Sequence, residues 1–227
     1  MQMSVGNSNK ILLLGDSHAH VFKLVDNAAS DFSISHCIVT GSSAQGAVNP
    51  HSETNALPIF RHVLSKNAKL HTHCLTMLGE VDCGFVIWYR KNKYNDSIKS
   101  QLERSLNNYF QFLKYEVEKY FPSEHILVCC VVPPTIQDNT DKKYLKGART
   151  EVTATHLERA KLTETYNHYL SRICSKRGYK FINPYAHLID YQTRLPKKDI
   201  LNKNPYDHHL DHSKTFEYWL ASLKDNL

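Results

Sequence analysis

Lys10-Ile11-Leu12-Leu13-Leu14-Gly15-Asp16-Ser17-His18 is the stretch from which the fold can be read. Its apolar run is continuous rather than alternating, which is the signature of a strand covered on both faces in a parallel sheet. A glycine and three polar residues follow at once, and then a helical pattern over His18–Ala29. A buried strand that turns directly into a helix is the repeating unit of an α/β fold.

The same reading extends along the chain. Ser33–Thr40, His71–Leu78, His125–Val132 and Lys180–Asn183 are further near-continuous apolar segments. Helical patterns separate them, over Ser52–Ser65 (interrupted or opened by Pro58), Ser97–Tyr120, Thr150–Arg177 and Thr215–Leu223. In Ser97–Tyr120, Leu102, Leu106, Tyr109, Phe110, Leu113 and Val117 recur at spacings of three and four, which marks a core face. The expectation is a three-layer α/β/α fold of flavodoxin-like type, with a central parallel sheet of about five strands and ligands at the carboxyl ends of the strands. Residues 1–227 read as one domain, and the polar, turn-rich stretch Pro133–Gly147 as a loop over one edge of the site.

Composition narrows the classes. Hydrophobic residues make up 41% and charged residues 22%, as in an ordinary globular protein rather than a disordered one. The longest apolar runs, Ile11–Leu14 and Ile126–Val132, fall far short of the roughly 18 residues of a membrane span. Met1–Lys10 is polar and shows no secretory pattern. The six cysteines have no framework spacing and include no Cys-x-x-Cys pair, so free thiols in a reduced cytoplasm are expected, without a metal site or other cofactor. The net charge of +6 is scattered and comes without a nucleic-acid-binding motif. It favours an anionic partner, an acidic glycan rather than a lipid, only weakly. Oligomeric state stays open.

Polar residues gather at the strand ends: Gly15-Asp16-Ser17-His18, then Gly41-Ser42-Ser43-Ala44, then Gly79-Glu80-Val81-Asp82-Cys83, and finally Asp207-His208-His209-Leu210-Asp211-His212 near the C-terminus. The order and spacing of these four blocks resemble the SGNH, or GDSL-type, hydrolase family across essentially the whole chain. Gly15-Asp16-Ser17 matches its first block and Gly41 its second. Gly79 and Asp82 match its third, where Val81 stands in place of the family's Asn. Asp207-x-His209 is one residue shorter than the family's Asp-x-x-His. A bacterial branch with Gly-Glu-x-Asp-Cys in the third block is the nearest likeness.

The resemblance implies a serine esterase acting on an acyl or acetyl ester of a carbohydrate or other small polar molecule. Ser17 would be the nucleophile, activated by a histidine base for which His209 is the first choice beside His208 and His212. Asp207 would orient that base. Backbone N–H groups of Ser17 and Gly41 would face the oxyanion. The Asn missing at Val81 removes one side-chain donor, which in an oxyanion hole is worth about two to three orders of magnitude in rate. Gly79, Glu80 and Asp82 are expected to line the site, with Arg90 folding back to neutralise one carboxylate.

Two other readings compete. Asp16-Ser17-His18 also fits the opening of a metal-dependent phosphoesterase, with His20, Asp82, His208, His209 and His212 as further ligands. A non-catalytic carbohydrate-binding protein on the same fold is the second. Each block also has a plain reading: Asp16 as a helix cap, Gly41 as a turn glycine, the late histidines as a solvated loop, and Asp82 as a turn cap with Glu80 in solvent.

Overall fold

In the computed structural model, which describes residues 8–145 and 147–227, five parallel strands lie in the order β2-β1-β3-β4-β5. They are β1 (Asn9–Gly15), β2 (Phe32–Ile38), β3 (His73–Met77), β4 (Ile126–Cys129) and β5 (Lys180–Ile182). The polar segment before Lys10 falls mostly on residues 1–7, outside the described residues. The helices are α1 (Phe22–Ala28), α2 (Ala56–Asn67), α3 (Ile87–Lys93), α4 (Ile98–Phe112), α5 (His156–Arg177), α6 (Tyr185–Leu188) and α7 (His212–Lys224). Among the described residues, no helix is long and apolar enough to cross a membrane.

Strand alternation sorts the core into two layers. Leu12 and Leu14 face Phe60 of α2, Tyr109 and Phe112 of α4, and Tyr166 of α5. Ile11 and Leu13 face the other way, toward Phe22 of α1, Leu188 of α6 and Trp219 of α7. The apolar runs of β1, β3 and β4 are continuous because both layers cover them. β2 departs from that pattern. As an edge strand it buries Phe32 and Ile34 while Ser33 and Ser35 stay exposed.

Helix boundaries follow local chemistry. α2 begins at Ala56, and Pro58 sits in its first turn, where its missing N–H leaves no bond unmade. α5 starts at His156 rather than Thr150. Thr155 and Glu158 form a reciprocal cap there, and Gly178 ends the helix at φ +77°. The stripe over Ser97–Tyr120 is one apolar face, but α4 stops at Phe112 and a wider, π-helical turn carries Leu113–Val117 into the core. The register pairs Gly15 with both Ile38 and Met77, so the carboxyl ends of β2, β1 and β3 finish level. The loops that leave this rim carry the first three polar blocks.

Candidate functional site

Gly15 closes β1 against β3. A Cβ at this position would lie 2.7 Å from Ala19 Cβ and 3.0 Å from the Met77 carbonyl oxygen, so only glycine lets the chain turn this tightly. Asp16 then caps a short 3-10 turn over Ser17–Val21, its Oδ1 accepting the His18 N–H at 2.8 Å. Asp16 Oδ2 is enclosed with no partner among the described residues, and burial pushes the carboxyl up to about 7. Ser17 emerges from this turn at the rim.

The late histidine loop is closed by an antiparallel bridge, Leu201 with Leu210, just before the start of α7. Asp207 Oδ1 accepts both the backbone N–H of His209 (2.9 Å) and its ring Nδ1–H (2.6 Å), while Asn202 Nδ2 donates to Oδ2 (3.1 Å). One oxygen thus binds both groups of the residue two positions on, which is how the shorter Asp-x-His spacing still orients the ring. With Nδ1 donating, Nε2 is the acceptor, and Ser17 Oγ lies 2.9 Å from it. His208 and His212 make no such bond. His208 packs against His209 with ring centres 4.0 Å apart and ring planes tilted by 41°, and burial pushes its pKa down to about 3. His212 opens α7 with its ring 6.0 Å away, and burial pushes it down to about 4.

Charges around the base oppose one another. Burial and the nearby His18 lower the His209 pKa below 6.5, while Asp207 pulls it upward and only partly compensates. Burial would raise the Asp207 carboxyl, but its bonds to His209 carry it below the usual range.

The third block divides into two roles. Gly79, at φ +119°, has no room for a Cβ, which would meet Val131 Cγ2 at 2.7 Å. Glu80, only 7% exposed, turns toward His18, with Oε2 2.8 Å from Nε2. Burial opposes charge on both groups, yet their mutual attraction wins. Glu80 falls to about 2, and the His18 pKa stands above 6.5. This is a buried ion pair beside Ser17, not a solvated carboxylate. Asp82 points elsewhere: its oxygens accept from Ala44 N (2.6 Å), Gln45 N (2.9 Å) and Ser105 Oγ (2.8 Å). It pins the loop after β2 from beneath. Burial pushes its carboxyl up to about 6 against those three donors.

The expected role of Arg90 does not hold. Among the described residues Arg90 makes no ion pair with Glu80 or Asp82, and its charge acts on Asp82 only through space. It sits in the last turn of α3, beyond a π-helical turn over Asp82–Val86. His18, one residue after the serine, takes the partnership with Glu80 instead. Val81 is 1% exposed, so an apolar side chain is buried where the family pattern has an amide. Gly41, at φ +77°, forms the exposed turn after β2 that Ser42 N closes on the Val39 carbonyl.

One group among the described residues approaches a metal-ligand cluster: His18, His208 and His209 hold ring nitrogens within 4.8 Å of one another. The group does not include His20, Asp82 or His212, the other ligands considered for a metal-dependent phosphoesterase.

A cavity of about 420 Å³ opens beside these residues. Glu80 and His208 form the wall it shares with the serine site, and Phe85, Asp138, Arg149 and Arg159 stand on the others. Much of it is roofed by residues 136–145, as expected for the polar loop. Sequence reasoning missed Arg149 and Arg159, which reach the cavity from the 3-10 turn Gly147–Glu151 and the first turn of α5.

Solved structures share this fold over nearly their whole length. A GDSL-like lipase from Bacteroides thetaiotaomicron superimposes with a TM-score of 0.59 at 10% identity, over 99% of this chain and 90% of that one. A member of the lipolytic G-D-S-L family from Veillonella parvula gives 0.56 at 10% identity, over 95% and 96%. The psychrotrophic esterase EstA from a Pseudoalteromonas species gives 0.52 at 13% identity, over 96% of each chain. No protein-family model matches the chain, and no curated protein does. The protein thus has the α/β fold of the GDSL-type lipolytic proteins.

Proposed function

We propose that the protein is a serine esterase that removes an acyl or acetyl group from a carbohydrate or other small polar ester through an acyl-serine intermediate. The observation that carries this reading is the continuous relay from Ser17 Oγ to His209 Nε2 (2.9 Å) and from His209 Nδ1 to Asp207 Oδ1 (2.6 Å). A serine hydroxyl is a weak nucleophile until a base takes its proton. In the first step Ser17 Oγ bonds to the ester carbonyl carbon as its proton passes to His209 Nε2. The carbonyl oxygen becomes an oxyanion facing the backbone N–H groups of Ser17 and Gly41. The C–O bond to the alcohol then breaks, and His209 returns the proton to the departing oxygen. Water, deprotonated by the same imidazole, releases the acid and regenerates Ser17. Asp207 holds the tautomer and stabilises the imidazolium.

The test is hydrolysis of p-nitrophenyl acetate by wild type and Ser17→Ala, with fluorophosphonate labelling of both. Turnover and labelling in wild type, both lost in Ser17→Ala, support the proposal. Equal turnover in the two proteins rules out Ser17 as nucleophile. Buried Val81, in the place of the family's amide donor, favours a second reading in which the site binds an ester without cleaving it. Absence of labelling in wild type selects that reading.

A further inference from the structure

The cavity beside Ser17 places two guanidinium groups, Arg149 and Arg159, on its walls together with the carboxylates of Glu80 and Asp138. Arg159 is 6% exposed, and its Nη2 donates to the Ile136 carbonyl. Its Nε, fully enclosed, has no acceptor among the described residues. An unpartnered guanidinium N–H at such depth is costly. Arg149 stands on the same wall, its guanidinium carbon 4.5 Å from the centre of the Phe85 ring. A contact of this kind uses none of the N–H donors. Among the described residues Arg149 forms no ion pair.

Two carboxylates also line this cavity, and both are engaged. Glu80 is paired with His18. Asp138 Oδ1 accepts the backbone N–H of His156 at the start of α5. The arginines act on these carboxylates only through space, with no ion pair among the described residues, and they stand next to the His208 wall that borders the serine site.

We infer that Arg149 and Arg159 form a carboxylate-recognition site that selects esters of acidic sugars, binding the sugar's carboxylate while its acyl group lies at Ser17. Planar guanidinium forks match a carboxylate better than a neutral hydroxyl, and the cavity volume falls within the range of small-molecule sites. The inference rests on the esterase reading above and adds the class of alcohol that the enzyme accepts.

The experiment compares kcat/KM for an O-acetylated methyl glucuronoside and the matching O-acetylated methyl glucoside. Wild type should favour the acidic ester by about tenfold or more, as expected of a charge-assisted bond of about 1.5–3 kcal/mol. The ratio should fall toward unity in Arg149→Gln and in Arg159→Gln, and stay at the wild-type value in Lys66→Gln, an exposed lysine on α2. Reading a ratio cancels any general loss of activity. Arg149→Gln keeps the test valid if Arg159→Gln does not fold. Calorimetry with free glucuronate against glucose gives a second readout that needs no turnover. Binding of glucuronate that weakens in Arg149→Gln supports the site even if p-nitrophenyl acetate is not hydrolysed, in which case only the esterase reading falls. No preference for the acidic partner in either assay, or a preference unchanged by Arg149→Gln, overturns the inference.

Discussion

Glu80 Oε2 lies 2.8 Å from His18 Nε2, with both side chains almost closed to solvent. The pair joins the residue after the proposed nucleophile to the loop after β3, 62 positions away. Removing Glu80 takes the carboxylate partner from buried His18, whose ring then sheds its proton rather than keep an unpaired charge. Glu80→Gln should therefore destabilise the fold by about 1–3 kcal/mol. Chemical denaturation measures this, and a Glu80→Gln/His18→Gln double variant should cost clearly less than the sum of the two single changes.

Asp207→Asn should leave the fold in place and lower kcat for a simple acetyl ester by up to about 10⁴-fold, since an amide can stabilise the wrong imidazole tautomer. Steady-state kinetics with p-nitrophenyl acetate checks this. A loss smaller than tenfold would separate Asp207 from the reaction.

The pH dependence has a definite sign. His209 accepts a proton only when neutral, and burial together with the His18 charge lowers its pKa from 6.5. The acid limb of kcat/KM should therefore fall below pH 6.5, with activity retained where a free imidazole is already mostly protonated. A profile from pH 4 to 9 tests it, and a midpoint above 6.5 contradicts it.

Asp82→Asn should loosen the loop after β2. It replaces an acceptor of three hydrogen bonds with an amide that turns a donor toward one of them, at a cost of about 1–3 kcal/mol. Amide hydrogen exchange at Ala44 and Gln45 should accelerate in the variant, and an unchanged rate would remove the pinning role.

Asp16 gives a stability test of opposite pH sense. Its carboxyl is raised from 3.8 to about 7 in the fold, so the folded state holds that proton more tightly than the unfolded chain. The resulting stability is fully present below about pH 3.8 and is lost as pH rises through about 7. Asp16→Asn lacks this slope. Its stability relative to wild type should rise across pH 4–7, as followed by denaturation midpoints.

How far the sequence could be read depends on distance along the chain. The strands were legible because β1, β3 and β4 are covered on both faces, and continuous apolar runs are the direct result. Ser17, Asp207 and His209 were legible as blocks, each a local pattern at a strand or loop end. What joins the blocks was not. The partner of Glu80 is fixed by β1 lying beside β3, so proximity in sequence favoured Arg90 while proximity in space supplied His18. Asp82 likewise meets Ser105 and the Ala44–Gln45 amides only after folding. Arg149 and Arg159 carry no motif at all. The start of α5 did have a local signal, Thr155-x-x-Glu158, which marks the cap better than the longer apolar pattern does.

The relay from Ser17 to His209 spans 192 positions. A ribosome makes the serine early and its imidazole only after four further strands have been translated. Throughout elongation the nascent chain therefore carries a hydroxyl with nothing to take its proton. The relay is complete only when the histidine loop has been made, so any peptide that ends before His209 lacks it.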